Sequence, residues 1–452
     1  MWVLAGLSAL LLLFRRRIAK GPVMTTRITL AATLVASFAA SCAQTIVIAA
    51  LPAFAGEFGV SGTSATWALT AFMLASAVST PIAGRLGDLF GYRRIALVCL
   101  GFFVVGTLLC ALADSFPLLL TGRAVTGVSC GVFPLAFGLV RRAVPPGRLP
   151  GVVALLSAMF GIGGSAGMLV AAPLVACLGS AWLFWPLLFL GILGLLLAAL
   201  LPPDEARTGG RVDFGGAALL AGALAALLLG ISEAKAWGTA AAIALFAVAA
   251  ALFAAFGVVE LRTREPLVDL RVLGRRAVAA PNLITVVVAA AIFGVVTVIP
   301  RLVATDRLVL ALLPMVLVML VATPLSPRLG GRRSVRIGAL FGIASCVLLV
   351  FAHDELWQVC VAGVLLGVGY GLTFAAFGTL VVEAVGARDT GVATGVNTIA
   401  RTAGGAIGAQ LAAVLITGGD YGPAFAVFGL IAVAALAVTS ALPKRSPVVS
   451  AV

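Results

Sequence analysis

The chain is a succession of apolar runs of about 20 residues separated by short polar turns, and this succession restricts the folds open to it. Fourteen runs can be drawn, near 28–52, 66–84, 95–113, 117–140, 150–177, 181–201, 214–231, 239–259, 278–300, 308–327, 335–352, 356–382, 391–417 and 423–442. Hydrocarbon offers no partner to a backbone N–H or C=O, so a run of this length reads as a helix that crosses a bilayer and satisfies its own backbone. With 62% hydrophobic and 10% charged residues, the 452-residue chain carries more apolar sequence than a soluble core can bury. The fold class expected is all-α integral membrane.

Charge placement orients the spans. Of 30 Lys and Arg residues, 25 fall in the turns and termini on one side, three on the other (Lys235, Arg301, Arg307), and two inside spans (Arg123, Arg401). Basic turns mark the cytoplasmic side, so both termini are expected in the cytoplasm of a multi-pass plasma-membrane protein. The net charge of +14 is spread over these turns and is not a nucleic-acid face. The seven cysteines lie in or beside apolar runs without C-x-x-C spacing, and the single His353 lies in a turn. They suit neither disulfides nor a metal site, and no cofactor is implied. At the N-terminus an apolar run, Trp2–Phe14, precedes Arg15–Arg17. That order is the reverse of a signal peptide and the run is short for a span, which leaves an interfacial helix or a start at Met24 as readings.

The stretch Gly84–Arg94, GRLGDLFGYRR, is too charged for hydrocarbon and reads as a tight cytoplasmic turn, opened by Gly84 and closed by Gly91. Asp88 sits among Arg85, Arg93 and Arg94. Downstream there is an internal repeat: residues 127–167 and 367–407 share eleven identities without a gap, among them Gly131/Gly371, Gly138/Gly378, Arg148/Arg388 and Gly164/Gly404. PIAGRLG (Pro81–Gly87) has an echo in PLSPRLG (Pro324–Gly330), which lacks the aspartate.

The Gly–Asp–Gly–Arg spacing after an apolar helix resembles the signature loop of the major facilitator superfamily. The resemblance implies two pseudo-symmetric six-helix halves with a substrate site between them. The two additional spans resemble the layout of the fourteen-helix drug:proton antiporter branch, as do VDFGGAALLAGALAALLLG (Val212–Gly230) and PLVDLRVL (Pro266–Leu273). The organisation expected is an N-terminal segment 1–27, a first half 28–201, two extra helices with linkers 202–277, a second half 278–442 and a tail 443–452.

Several residues are candidates for mechanism. In the resemblance, Gly84, Asp88, Gly91, Arg93 and Arg94 form a gating loop: Asp88 accepts from N–H groups at a helix N-terminus, and Arg93 and Arg94 pair across the halves. Arg123 lies about 9 Å into its span and matches the family's fourth-helix arginine, associated with proton coupling. The alternative is an arginine bonded to backbone carbonyls. Arg401 lies roughly 15 Å deep with Asn397 one turn earlier, either as cavity polarity and anion contact or as interhelical glue. Gly163 and Gly167, like Gly404 and Gly408, have the spacing of close helix packing. The segment SCAQTIVIAALP (Ser41–Pro52), with Gln44 and Thr45, resembles the branch's first-span motif, but Ala43 stands where that motif has aspartate. No acid lies deep in any span; Asp213, Glu260 and Glu383 lie at span ends, and Glu383 is the weak substitute for a proton carrier.

The function expected is a secondary active transporter, a monomer, exporting a small organic or drug-like solute by alternating access. Proton antiport is left open by the absent aspartate. The alternatives are an uncoupled or otherwise driven carrier of an anionic or amphipathic solute, and a non-transporting membrane protein. An enzyme is not expected, since no paired carboxylates, nucleophile–base pair or phosphate loop is visible.

Overall fold

The structure, a computed structural model, describes residues 22–145, 148–203, 213–263, 266, 270–274, 276–303, 307–382, 390–416 and 420–441. The run Trp2–Phe14, Glu383, Arg388 and the tail from 443 lie outside the described residues. Among the described residues the chain is helical, with no β-strand. The long helices are α1 (Thr26–Glu57), α2 (Gly62–Phe90), α3 (Tyr92–Ala111), α4 (Phe116–Ala143), α5 (Leu149–Leu178), α6 (Ser180–Ala199) and α7 (Phe214–Ser232). They continue as α8 (Thr239–Arg262), α9 (Arg276–Leu302), α10 (Leu308–Leu325), α11 (Gly331–Phe351), α12 (Leu356–Val382), α13 (Thr390–Leu415) and α14 (Gly422–Ala441). Among the described residues, 13 are long and apolar enough to cross a membrane. The other, α13, has 26 residues and packs in the same bundle against α9, α2 and α12.

Local chemistry sets the irregular points. Ser61 caps α2 by accepting from the Ser64 N–H at 3.0 Å, and Asp213 caps α7 by accepting from the Gly216 N–H at 2.8 Å. Pro52 lacks an N–H and its ring crowds the carbonyl four residues back, so α1 passes through a 3-10 turn at Ile48–Ala50. Pro134 stands in the same relation to Cys130, and α4 has a 3-10 turn at Ser129–Gly131 in the middle of its span.

Packing relies on absent side chains. A Cβ at Gly163 would stand 2.7 Å from the Phe38 carbonyl oxygen, and one at Gly167 2.6 Å from that of Cys42, so these glycines let α5 lie on α1. Gly404 and Gly408 do the same for α13 on α9: a Cβ there would stand 2.3 and 2.0 Å from the carbonyl oxygens of Val286 and Ala290. Helix α2 touches α3, α4, α7 and α13. Its Trp67 Nε1 donates to Ser232 Oγ at 3.1 Å and fastens α7 to it, while α8 packs mainly on α7.

The stretch Gly84–Arg94 departs from the turn expected of it. Helix α2 runs through Phe90, and the chain reverses at a single residue, Gly91, with φ 96° and ψ 135°. Leu86, Leu89 and Phe90 favour helix here, and a helix satisfies the backbone that an open turn would leave to water. Gly84 therefore opens nothing: it sits inside α2, its Cβ position 3.5 Å from Pro134 Cβ. The reversing residue in the second repeat is Gly330, with φ 81°. It corresponds in conformation to Gly91, so the alignment of PIAGRLG with PLSPRLG, which sets Gly330 against Gly87, is displaced by one helical turn. Gly91→Ala forces a side chain into left-handed backbone and is expected to lower stability by about 1–2 kcal/mol, whereas Gly84→Ala makes an ordinary contact. Thermal unfolding in detergent compares the two, and equal midpoints would show that the reversal does not depend on the conformation of Gly91.

Candidate functional site

The Gly91 hairpin is built around Tyr92, which the sequence motif leaves unspecified. Its ring is wedged between α2 and α4, where a Cβ at Gly87 would stand 2.8 Å from it and one at Gly138 2.5 Å. The Arg142 guanidinium lies 4.5 Å over the ring. The hydroxyl donates to Asp88 Oδ1 at 2.5 Å. Asp88 thus binds a side chain at the start of α3 and not the backbone N–H groups expected. Arg93 Nη2 donates to the Ala199 carbonyl at 2.8 Å, a contact that joins α3 to α6; Arg94 is exposed.

Arg123 is fully buried, at 0% exposure. Nε donates to the Ala68 carbonyl of α2 at 2.7 Å and the guanidinium lies 4.5 Å over Phe72. Nη1 and Nη2 have no hydrogen-bond partner among the described residues. Gly127, one turn on, lets α4 reach α2: a Cβ there would stand 2.4 Å from the Phe72 carbonyl oxygen.

Arg401 and Asn397 have different surroundings. Asn397 Nδ2 donates to Thr285 Oγ1 at 2.8 Å and Asn282 Oδ1 at 3.1 Å, both on α9, which is the interhelical role. Arg401, 5% exposed, places its guanidinium 3.9 Å over the Phe160 ring of α5 and 5.6 Å from that of Phe374 on α12. Phe160 stacks on Phe133 at 3.9 Å, and Phe374 on Tyr370 at 4.2 Å, with Phe293 beside them. Neither Arg401 nor Tyr370 forms a hydrogen bond among the described residues. The aromatic faces return up to about 2 kcal/mol to a desolvated guanidinium. A charge near the membrane centre costs about 2.5–3.5 kcal/mol on the most lenient scale. The cage therefore offsets part of the cost and leaves every N–H donor of Arg401 unused.

Among the described residues, polar contacts between α1–α6 and α9–α14 are found toward the end of the bundle away from Gly91. Arg301 was assigned to a turn by sequence, but it lies in the last turn of α9 and its Nη2 donates to Gly62 O at 2.8 Å and Thr66 Oγ1 at 2.7 Å on α2. Deeper in, Gln410 Nε2 of α13 donates to Thr70 Oγ1 at 3.0 Å. Thr45 Oγ1 donates to Gly164 O at 2.8 Å and serves the α1–α5 contact, while Gln44 is buried and its Nε2 has no partner among the described residues. Glu260 is the one buried acid among the described residues, in the last turn of α8 and beside the start of α7, remote from this axis. No group of three metal-ligating side chains comes together among the described residues. A cavity of about 500 Å³ lies on the outer face of α2, α3 and α4, walled by Trp67, Val98, Phe102 and Ala221 of α7; its exposed walls face lipid and not the Arg401 cluster.

The sequence matches the Major Facilitator Superfamily over residues 33–308 and 307–451, and the chain belongs to that family of membrane transporters, which are not enzymes. It is similar to a multidrug resistance protein B homolog of Mycobacterium tuberculosis, at 29% identity over 85% of this chain and 75% of that one. It is also similar to the tetracenomycin C resistance and export protein of Streptomyces glaucescens, at 29% identity over 82% and 72%. Two further mycobacterial relatives are longer, and the chain spans 51% and 56% of their lengths. The fold is that of the human organic anion transporter MFSD10 (TETRAN), with a TM-score of 0.63 at 17% identity over 92% of this chain and 99% of that one.

Since Asn397 is held by α9 and Arg401 by the rings, their substitutions should separate. Asn397→Ala removes two buried hydrogen bonds and is expected to lower stability by about 1–3 kcal/mol while leaving ligand binding per folded molecule unchanged. Thermal unfolding combined with a binding isotherm reads both, and a binding defect without a stability defect would assign Asn397 to the ligand instead.

Proposed function

We propose that this multi-pass membrane protein is a secondary transporter of the plasma membrane, with cytoplasmic termini, that exports a small drug-like solute by alternating access. The observation that carries the reading is the asymmetry of the polar contacts along α2. At one end Arg301 and Gln410 join it to the second group of six helices, while at the Gly91 end the Tyr92–Asp88 and Arg93–Ala199 hydrogen bonds lie within the first group. A carrier closed on one side requires an arrangement of this kind. The names of the mycobacterial and streptomycete relatives, resistance and export proteins, support the direction and the class of solute.

In this reading the Gly91 hairpin is a gating element. The Tyr92–Asp88 bond and the Arg142 stack hold α2, α3 and α4 in one arrangement, and rocking of the six-helix groups opens and closes the Arg301 end. The driving force is the second question. No buried acid stands near Arg123 or Arg401 among the described residues, so a gradient other than protons, or none, is a distinct reading supported by the same structure.

Export of ethidium, a neutral drug and an organic anion from proteoliposomes, with and without a protonophore, tests both points. Flux abolished by the protonophore establishes proton antiport; flux that survives it favours the other drive. Absence of flux for every probe would return the chain to a non-transporting role. Asp88→Asn keeps an acceptor for Tyr92 but loses the charge, and a loss of about 1 kcal/mol from a charged hydrogen bond should shift the gating equilibrium about fivefold. Unchanged flux at equal expression would remove Asp88 from the gate.

A further inference from the structure

Arg401 is more than nine-tenths buried, lies near mid-span, and has no hydrogen-bond acceptor among the described residues. The rings around it come from both six-helix groups: Phe133 and Phe160 from the first, Phe293, Tyr370 and Phe374 from the second. Tyr370, itself buried, adds a hydroxyl that makes no hydrogen bond among the described residues, and a Cβ at Gly164 would stand 3.7 Å from its oxygen. We infer that this cluster is the recognition site for a flat aromatic carboxylate, with Arg401 as the residue that reads the charge.

The chemistry follows from what the cluster lacks. A guanidinium presents a planar fork of N–H donors that matches the two oxygens of a carboxylate. Here the fork lies against ring faces and makes no hydrogen bond among the described residues. The guanidinium itself lies on the ring faces, as a tethered cation. An aromatic acid supplies both missing pieces, a carboxylate for the fork and a ring for Phe160 and Phe374. A free cation supplies neither, because the guanidinium already holds the faces it would seek. Since Phe160 and Arg401 belong to different six-helix groups, a ligand that draws the guanidinium off Phe160 also loosens the contact between them. This deepens the transporter reading by naming the solute class, but its binding arm stands without flux.

Isothermal titration of the purified full chain with 2-naphthoate, 2-naphthamide, 2-naphthylmethylammonium and laurate is the test. Naphthoate is expected to bind about tenfold more tightly than the amide, which is about 1.4 kcal/mol, and more tightly than laurate, which shares its charge without a ring. Arg401→Gln should bring naphthoate to the level of the amide and leave the amide unchanged. Should that variant not fold, Arg401→Lys, a point charge without the fork, should cut the preference at least about threefold. Tighter binding of the ammonium, equal binding of laurate, or a carboxylate preference that survives both substitutions would overturn the inference. Proteoliposome flux separates the two levels: naphthoate binding without transport refutes the transporter reading and leaves the site, whereas ethidium transport without carboxylate preference refutes the site and leaves the transporter.

Discussion

The absence of a Cβ at a few helix crossings is the constraint on which the rest depends. In hydrocarbon, apolar side chains gain nothing by leaving their surroundings for each other, so helices associate through close van der Waals approach and polar contacts. Gly163 and Gly167 bring α5 onto α1, and Gly404 and Gly408 bring α13 onto α9. These crossings fix where Phe160 and Arg401 stand, because each lies within one turn of such a glycine on the same helix. The ring–guanidinium contact between the two groups of helices is a consequence of two glycine seams formed independently within them.

Helix α2 uses two faces for two partners. Thr66, Thr70 and Met73 meet the second group through Arg301, Gln410 and Gly405, whereas Ala68, Phe72 and Ala75 meet α4 through Arg123 and Gly127. The threonines also return their hydroxyls to their own helix, Thr66 Oγ1 to Gly62 O at 3.0 Å and Thr70 Oγ1 to Thr66 O at 3.2 Å, which gives each hydroxyl an acceptor within α2. One face thus makes close backbone contacts within a group and the other polar contacts to the second group.

Much of the architecture was readable because membrane spans announce themselves by length and apolarity, and because a charge inside one, such as Arg123 or Arg401, is conspicuous. What surrounds those charges was not readable. Phe160 and Phe374 lie in largely apolar runs, so an inward ring looks the same as an exposed one such as Phe102 or Phe189. Tyr92 escaped notice because its neighbours Gly87 and Gly138 come from different helices, far apart in sequence. Gly84 misled in the other direction: beside charged residues a glycine suggests a turn, but the helical preference of Leu86–Phe90 carried α2 past it. The proline-linked 3-10 turn at Ser129–Gly131 likewise depends on Pro134 acting on a carbonyl four residues back, a local effect legible once the helix is known to continue.

The single-residue reversal at Gly91 has a mechanical consequence. A linker of one residue has no length to absorb a change in tilt, and the Tyr92 ring, clasped by α2 and α4, removes the remaining freedom at the joint. Helices α2 and α3 must therefore tilt together, as two arms of one rigid bracket. The lipid-facing cavity lies along the flank of that bracket with α7 as its opposite wall, so any swing of α2 also changes the space offered to the surrounding acyl chains. The bilayer is in this way mechanically joined to the helix that meets the second half of the protein.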